Sequence, residues 1–319
     1  MKKRLFAFIM GIVPIISCFS FVACGDSENN DLDNMPKQLQ HHHEHFQVYD
    51  VCDKCGWECL YRSDSGEVVV MAKEGNASAE YYGETVSGYG LSNPLVSIYF
   101  SDSVMVVGNS AFKDCKRLSS LLISNSLMYV GDYAFSGCGI SDIYYTGTVG
   151  QWASIEGLYY LMRYGSSYKD LYINGKKITE IRLDDITEIE ECAFYNCSSL
   201  ENVIISNSVV RIKYGAFSGC ISLFFVVIGY SVEQIQNNAF YNCISLESIA
   251  IPKSVTEIGY EAFQKCSKLE TVIFNDPVGW YCRDYRSIKK NFTSTELSNS
   301  VTAAKYLVNT CSALKWYKG

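Results

Sequence analysis

Between residues 111 and 263 of this 319-residue chain the dipeptide Ala-Phe recurs six times, and each of these copies is followed by a cysteine three residues after the phenylalanine. Successive copies are separated by 23, 59, 23, 23 and 23 residues. Self-similarity at a fixed period of roughly 20 to 50 residues is typical of repeat architectures, in which each unit packs on its neighbours. The cysteines of this column, called the cysteine column below, are Cys115, Cys138, Cys197, Cys220, Cys243 and Cys266.

Two apolar columns, separated by one residue, precede the Ala-Phe copies. This alternation is typical of a short β-strand, and a strand that recurs every 23 residues stacks in parallel at about 4.8 Å per rung. Eight rungs predict a sheet about 35 Å long, in a solenoid that is mostly β and coil. The first column contains Ile98, Leu121, Ile143, Ile181, Val203, Val226, Ile249 and Val272, and the second contains Phe100, Ile123, Tyr145, Leu183, Ile205, Ile228, Ile251 and Phe274.

The text of one unit, residues 258–269, reads Ile-Gly-x-x-Ala-Phe-x-x-Cys-x-x-Leu. It resembles the repeat of the BspA-like leucine-rich repeat family, and the resemblance covers about residues 95–275. It implies a leucine-rich repeat solenoid. Because the family is described as surface proteins of host-associated microbes, some of them adhesins, the resemblance also implies display and binding. It does not identify a ligand.

The cysteine column is predicted to hold buried thiols. Equivalent side chains on parallel rungs are about 4.8 Å apart, whereas a disulfide requires Cβ atoms about 3.8 Å apart. We therefore expect small inward-facing hydrophobic side chains, with bridged pairs as the alternative. Cys282 and Cys311 lie outside the column, and a disulfide between them is an alternative that the sequence leaves undecided.

The N-terminus resembles a bacterial lipoprotein signal. Three basic residues precede an apolar run that ends at Ala23-Cys24, and a polar segment follows. We expect residues 1–23 to be a signal peptide and Cys24 to be lipidated, with Cys18 as a weaker lipidation site. An ordinary secreted protein and an uncleaved anchor are the alternatives. The expected location is the cell envelope, lipid-anchored to the membrane and surface exposed.

A histidine- and cysteine-rich cluster lies in the following segment, residues 24–60, which we interpret as a tether. All four histidines of the chain occur within it, close to a Cys-x-x-Cys-Gly motif that resembles half of a zinc ribbon. A zinc site, a disulfide or redox pair and a histidine-rich tether all fit this pattern. The candidate metal ligands are His45, Cys52, Cys55 and Cys59.

The repeats, residues 95–275, are interrupted and capped. Residues 61–94 are predicted to form an N-terminal β cap, and residues 276–319 a C-terminal cap with a helix whose N-cap would be Ser300. An insertion at about 146–177 is rich in tyrosine, with a short helix near 151–155 and a strand and turn at 171–177. It forms a small core of its own or contacts a ligand.

Residues on the outward side of the predicted sheet are apolar where alternation predicts polar ones. Such a stripe marks a binding surface, a self-association surface or a covered layer. With Trp152 of the insertion added, the candidate partner-binding residues are Tyr99, Leu122, Tyr144, Ile204, Phe225 and Val227.

Charge and motifs exclude several functions. The net charge of −7 provides no basic face for nucleic acid. The repeats contain no histidine and no phosphate-binding loop, so we expect no enzyme activity. We predict a non-enzymatic adhesion protein that binds protein or glycan partners on host or neighbouring cells. The alternatives are an envelope scaffold for bacterial proteins and metal binding by the N-terminal cluster; apart from that zinc, we expect no cofactor.

Overall fold

A computed structural model of the chain describes residues 57–62, 69–73, 79–82, 85–88, 97–100, 104–284 and 287–319. It confirms the predicted β-solenoid, whose coils are spaced 23 residues apart outside the insertion. Each regular coil has a front strand of three or four residues and a back strand of two residues. A turn that carries the Ala-Phe-x-x-Cys text then leads to the next coil.

The elements follow in chain order. The strands are β1 (Trp57–Arg62), β2 (Val69–Lys73), β3 (Ala79–Tyr82), β4 (Thr85–Gly88), β5 (Ser97–Phe100), β6 (Val106–Val107), β7 (Ser120–Ile123), β8 (Tyr129–Val130), β9 (Asp142–Tyr145), β10 (Asp170–Ile173), β11 (Lys176–Lys177), β12 (Glu180–Leu183), β13 (Glu188–Ile189), β14 (Asn202–Ile205), β15 (Arg211–Ile212), β16 (Phe225–Val227), β17 (Gln234–Ile235), β18 (Ser248–Ile251), β19 (Glu257–Ile258), β20 (Thr271–Phe274), β21 (Trp280–Arg283), β22 (Ile288–Asn291) and β23 (Lys315–Lys318). The helices are α1 (Val149–Ala153), α2 (Tyr159–Met162), α3 (Ser294–Ser298) and α4 (Ser300–Lys305), and α4 continues into a π-helical turn, Tyr306–Thr310.

The front face is interrupted, which corrects the expectation of eight continuous rungs. Strands β5, β7, β9 and β10 pair in parallel, and β10 is a ninth rung that the repeat columns did not predict. The ladder then stops, because β11 turns back through Asn174 and Gly175 and pairs antiparallel with β10. Strands β12, β14 and β16 form the next parallel group, and β18 and β20 the last.

Stacked phenylalanines fill the core along the solenoid axis. The rings of Phe194, Phe217, Phe240 and Phe263 form a stack. The centroids of neighbouring rings are 5.3 Å apart, with interplanar angles of 10° or less. All four rings are buried. One ring per coil, stacked on the next, is the packing that the repeat of Ala-Phe requires, because a single coil cannot bury such a ring alone.

Each Ala-Phe turn contains two residues with positive φ. Such a backbone favours glycine or asparagine, since other side chains are strained there. The two positions lie four residues apart and recur in register through the coils. The first is occupied by Ser110, Tyr133, Cys192, Gly215, Asn238 and Glu261, and the second by Asp114, Gly137, Asn196, Gly219, Asn242 and Lys265.

The insertion contains the predicted helix and the predicted strand and turn. Helix α1 begins after Thr148, whose side chain accepts a hydrogen bond from the backbone of Gln151, while the Gln151 side chain accepts one from the backbone of Thr148. This reciprocal capping is a local signal that the sequence carries. The turn at Asn174 and Gly175 has φ values of 49° and 76°.

The C-terminal cap inserts the last strand into the back sheet. Strand β23 lies between β19 and β21 and pairs antiparallel with both. The predicted helix N-cap at Ser300 is wrong by one residue. Asn299 adopts the extended cap conformation, and its side chain accepts a hydrogen bond from the backbone of Thr302 at 2.9 Å. Ser300 is therefore already helical, and Val301 points to solvent with 66% exposure.

At the other end, strands precede the first repeat on both faces. Strand β2 pairs antiparallel with β1 and with β5, while β4 pairs antiparallel with β3 and parallel with β6. Among the residues in the described ranges, no helix is both long and apolar enough to cross a membrane.

Candidate functional site

An exposed apolar surface covers the C-terminal half of the front face. We call it the front patch and define it as Ile204, Phe225, Val227, Ala250 and Ile273. Phe225, Val227 and Ile273 are 48%, 41% and 51% exposed. Ile204 faces Val227 across β14 and β16, and Ala250 faces Ile273 across β18 and β20.

Strand alternation creates the patch. Phe225 and Val227 are exposed on either side of the buried Val226, and the same pattern recurs in β18 and β20. The backbone therefore fixes these side chains on the outer side. An exposed group of apolar side chains on a regular sheet is typical of an interaction surface.

Polar residues border the front patch. Arg182 faces Ile204 from β12, and its side chain forms an ion pair with Asp184 at 2.7 Å. Phe225 lies beside Asn202 in the register of β14 and β16. An apolar centre with a polar rim is the usual anatomy of a protein-binding surface.

The N-terminal half of the front face is closed, and the exposure expected for two candidates there is wrong. Leu122 and Tyr144 are only 5% and 7% exposed, and Tyr99 and Tyr172 pack against them. The rings of Tyr144 and Tyr172 stack at 4.5 Å. Tyr172 belongs to β10, a strand that matches no repeat column, which explains why the columns did not reveal this contact. Burial, together with Tyr172, raises the pKa of Tyr144 to about 12.

Trp152 is also buried, so the expectation that it contacts a partner is corrected. Its indole nitrogen donates a hydrogen bond to the carbonyl oxygen of Ala193 at 2.8 Å. In the regular coils, the equivalent alanine carbonyl accepts from a phenylalanine backbone, as Ala216 does from Phe194. Trp152 therefore occupies the place of a missing coil, and its ring meets Tyr145 edge-on at 5.4 Å.

Lys169, which the sequence did not single out, is a buried clamp in the insertion. Its ammonium donates hydrogen bonds to the carbonyl oxygens of Ile140, Tyr164 and Ser166 at 2.9, 2.9 and 3.0 Å. Burial lowers the pKa of Lys169 to about 8. The only sequence signal was a lysine beside tyrosines, which is common on exposed surfaces. The clamp ties the 164–166 loop to the solenoid.

A second surface lies where the insertion joins the back sheet. It is a shallow cleft between tyrosine and carboxylate side chains. Lys213 in the cleft bridges Glu188 and Glu190 at 2.6 and 2.5 Å, so its charge is neutralised internally. The remaining lining residues are Tyr129, Glu156, Gly157, Tyr159, Tyr160 and Glu191.

The cysteine column consists of buried thiols without disulfides, as predicted. Burial raises the pKa of Cys197 to about 12 and that of Cys220 and Cys243 well above the ordinary thiol value. A thiol that stays protonated is a poor nucleophile and a poor metal ligand. The cysteine column therefore contributes to core packing.

The candidate residues for lipidation and metal binding lie near the N-terminus, almost entirely outside the described ranges. Cys24, His45, Cys52 and Cys55 lie outside the described residues, and Cys59 is described only as a backbone position in β1. Within the ranges that the structure describes, no group of three His, Cys, Asp or Glu side chains could hold a metal ion.

Comparison with known families gives one clear match. The model of the BspA type leucine rich repeat region matches six copies, over residues 89–155 and 168–282, which together exceed half of the chain. A search of curated protein sequences found no significant match.

Solved structures with weaker similarity are also bacterial repeat proteins. A leucine-rich repeat protein from Bacteroides ovatus is 24% identical over 56% of this chain, with a TM-score of 0.33, and the chain spans 60% of that protein. The leucine-rich repeat protein of T. pallidum is 19% identical over 60% of this chain and 87% of its own length, with a TM-score of 0.39. A leucine-rich cell surface protein from Faecalibacterium prausnitzii is 21% identical over 63% of this chain and 53% of its own length, with a TM-score of 0.37.

Proposed function

Because the chain belongs to the BspA type leucine-rich repeat family, we propose that it is a non-enzymatic binding protein that holds a protein partner on the front patch. The observation that carries this proposal is the exposure of Phe225, Val227 and Ile273 on one regular sheet face. Removing such side chains from water contributes about 25 cal/mol per Å² of apolar area. A partner with an apolar surface would gain that free energy.

The chemistry of the front patch favours protein over glycan. Its side chains are aliphatic, apart from the ring of Phe225, and contain no hydrogen-bonding group. Sugars present hydroxyl groups, which lose hydrogen bonds to water when apolar side chains cover them. The apolar centre of a protein surface has no such hydrogen bonds to lose.

Surface display on a lipid anchor is the second part of the proposal. It is supported by the sequence Ala23-Cys24 after an apolar run, followed by a polar segment. Cys24→Ala should abolish incorporation of labelled palmitate, and protease treatment of intact cells should remove the wild-type protein. An envelope scaffold for bacterial proteins would resist the protease until the cells are broken.

Site-specific photocrosslinking tests the front patch directly. A photoreactive phenylalanine analogue replaces Phe225 in one sample and Val301, an exposed residue of α4, in the control. The proposal predicts a crosslinked partner at position 225 that is absent at position 301. A crosslink between two copies of this chain would instead identify the front patch as a self-association surface. Equal labelling at both positions would contradict a specific site.

A further inference from the structure

Two buried cysteines outside the cysteine column meet in the C-terminal cap. Cys282 lies in β21, and Cys311 follows the π-helical turn. Both are buried, and each thiol lies close enough to shift the pKa of the other. Trp316 holds both in place, because its backbone pairs with that of Cys282 and its indole nitrogen donates to the carbonyl oxygen of Cys311 at 3.1 Å.

The cysteine column also brings thiols together, as at Cys115 and Cys138, but thiols of the column have a further partner. In the column, Cys138 and Cys266 donate hydrogen bonds to the carbonyl oxygens of Phe112 and Phe240 at 2.9 and 3.0 Å. Oxidation there would remove a donor from a buried carbonyl, which carries a free-energy cost. In the part of the chain described, neither Cys282 nor Cys311 donates to a carbonyl oxygen. Their oxidation therefore takes no donor away from a buried carbonyl oxygen.

We propose that Cys282 and Cys311 form an intramolecular disulfide in the exported protein. The inference rests on the export proposed above, because disulfides persist in oxidising compartments. The bond would join β21 to the segment that leads into β23. Since β23 is inserted between β19 and β21, the disulfide would fasten the cap where it joins the last repeat.

The environment of the pair indicates when the bond forms. Lys290 faces Cys282 across β21 and β22, and its positive charge lowers the pKa of both thiols. Burial outweighs this effect and raises the pKa of Cys282 to about 12. The reactive thiolate is therefore scarce in the closed cap. Oxidation takes place while the cap is open, before or during its closure on the repeats.

The chemistry is thiol–disulfide exchange with a disulfide oxidant such as oxidised glutathione. One cysteine thiolate attacks a sulfur of the oxidant, forms a mixed disulfide and releases one reduced thiol. The second cysteine, after losing its proton, attacks the mixed disulfide, forms the Cys282–Cys311 bond and releases the second reduced thiol. Two electrons pass to the oxidant, which also receives the two protons.

Peptide mapping of the purified full chain tests the proposal without requiring export. The reduced chain is refolded with oxidised glutathione, its remaining thiols are alkylated in denaturant, and it is digested with trypsin. We expect peptides 269–283 and 306–315 to be joined, with the mass of the pair reduced by two hydrogen atoms. Alkylation of both Cys282 and Cys311, or a crosslink within the cysteine column, would overturn the proposal. Neither result would bear on lipidation or on binding at the front patch.

Thermal unfolding gives a second readout. Closing a loop of about 30 residues should raise the melting temperature of the oxidised wild type by roughly 5 °C or more over the reduced form. Cys282→Ser should abolish this difference. The matched control is Cys192→Ser, which changes another buried cysteine and should preserve the difference. The proposed disulfide would be contradicted if oxidation no longer raised the melting temperature of Cys192→Ser, or if it still raised that of Cys282→Ser.

Discussion

The thiol of Cys220 donates a hydrogen bond to the carbonyl oxygen of Phe194, 3.0 Å away in the preceding coil. Cys243 makes the same bond to Phe217 at 3.2 Å. This relationship explains why the column contains cysteine. The side chain is small and apolar enough for the core, yet it donates to a carbonyl that is sealed inside the turn.

Cys220→Ala should therefore cost about 1–3 kcal/mol of unfolding free energy, because it leaves a small cavity and removes a donor from a buried carbonyl. Urea unfolding followed by circular dichroism measures this cost. The control is Cys192→Ala: Cys192 is equally buried but donates to no carbonyl in the described part of the chain. Equal costs for the two substitutions would mean that the thiol bond contributes nothing.

Thiol reactivity should depend on folding. Because burial raises the pKa of Cys220 and Cys243 well above the ordinary value, Ellman's reagent at about pH 8 should not label them in the folded protein. After denaturation without reductant, the cysteine column should react in full. If the denatured column yields no thiol, the coils are joined by a ladder of disulfides and the core interpretation fails.

Trp152→Phe should lower the unfolding free energy by about 1–2 kcal/mol, since the carbonyl of Ala193 loses the indole donor while most of the ring volume remains. Trp152→Ala should cost about 3–5 kcal/mol through the added cavity. Differential scanning calorimetry measures both. Two small and equal shifts would show that the insertion does not depend on Trp152 for its attachment to the solenoid.

Lys169 should make stability depend on pH. Its pKa is about 8 in the folded chain, whereas that of a lysine in an unfolded chain is 10.5. Between these two pH values the folded state therefore binds fewer protons than the unfolded state. The unfolding free energy should then rise with pH, by at most about 1.4 kcal/mol per unit, and this gain should vanish below the lower value. Comparing wild type with Lys169→Met by urea unfolding at about pH 7 and pH 9.5 isolates the effect. If the unfolding free energies of the two proteins differ by the same amount at both pH values, Lys169 does not cause the pH dependence.

The repeat fold could be predicted because its signals are local and recur. Alternation around Val226 identifies the front strands, and the Asn174-Gly175 dipeptide identifies the hairpin of the insertion. The same alternation correctly placed Phe225 and Val227 on the outer side of the sheet. Their role in binding remains a proposal.

The remaining features depend on contacts between residues far apart in the chain. Tyr144 is buried because Tyr172 stacks on it from a rung that matches no repeat column. The bond from Trp152 to Ala193 joins residues 41 positions apart, and β23 enters the back sheet out of chain order. Local patterns contain no information about such pairings.

A matched pair of valine-to-glutamate substitutions tests binding at the front patch most directly. Val227 lies in the front patch, and Val301 lies on α4 with still greater exposure. Both variants should melt within a few degrees of wild type, because exposed substitutions usually cost less than about 0.5 kcal/mol. Binding of the labelled chain to epithelial cells and to immobilised extracellular-matrix proteins is then measured by titration. If the partner binds at the front patch, Val227→Glu lowers affinity at least about tenfold, since a buried charge disrupts an apolar interface, and Val301→Glu leaves it unchanged. Wild-type affinity in a folded Val227→Glu protein would contradict the assignment of the front patch as the binding surface.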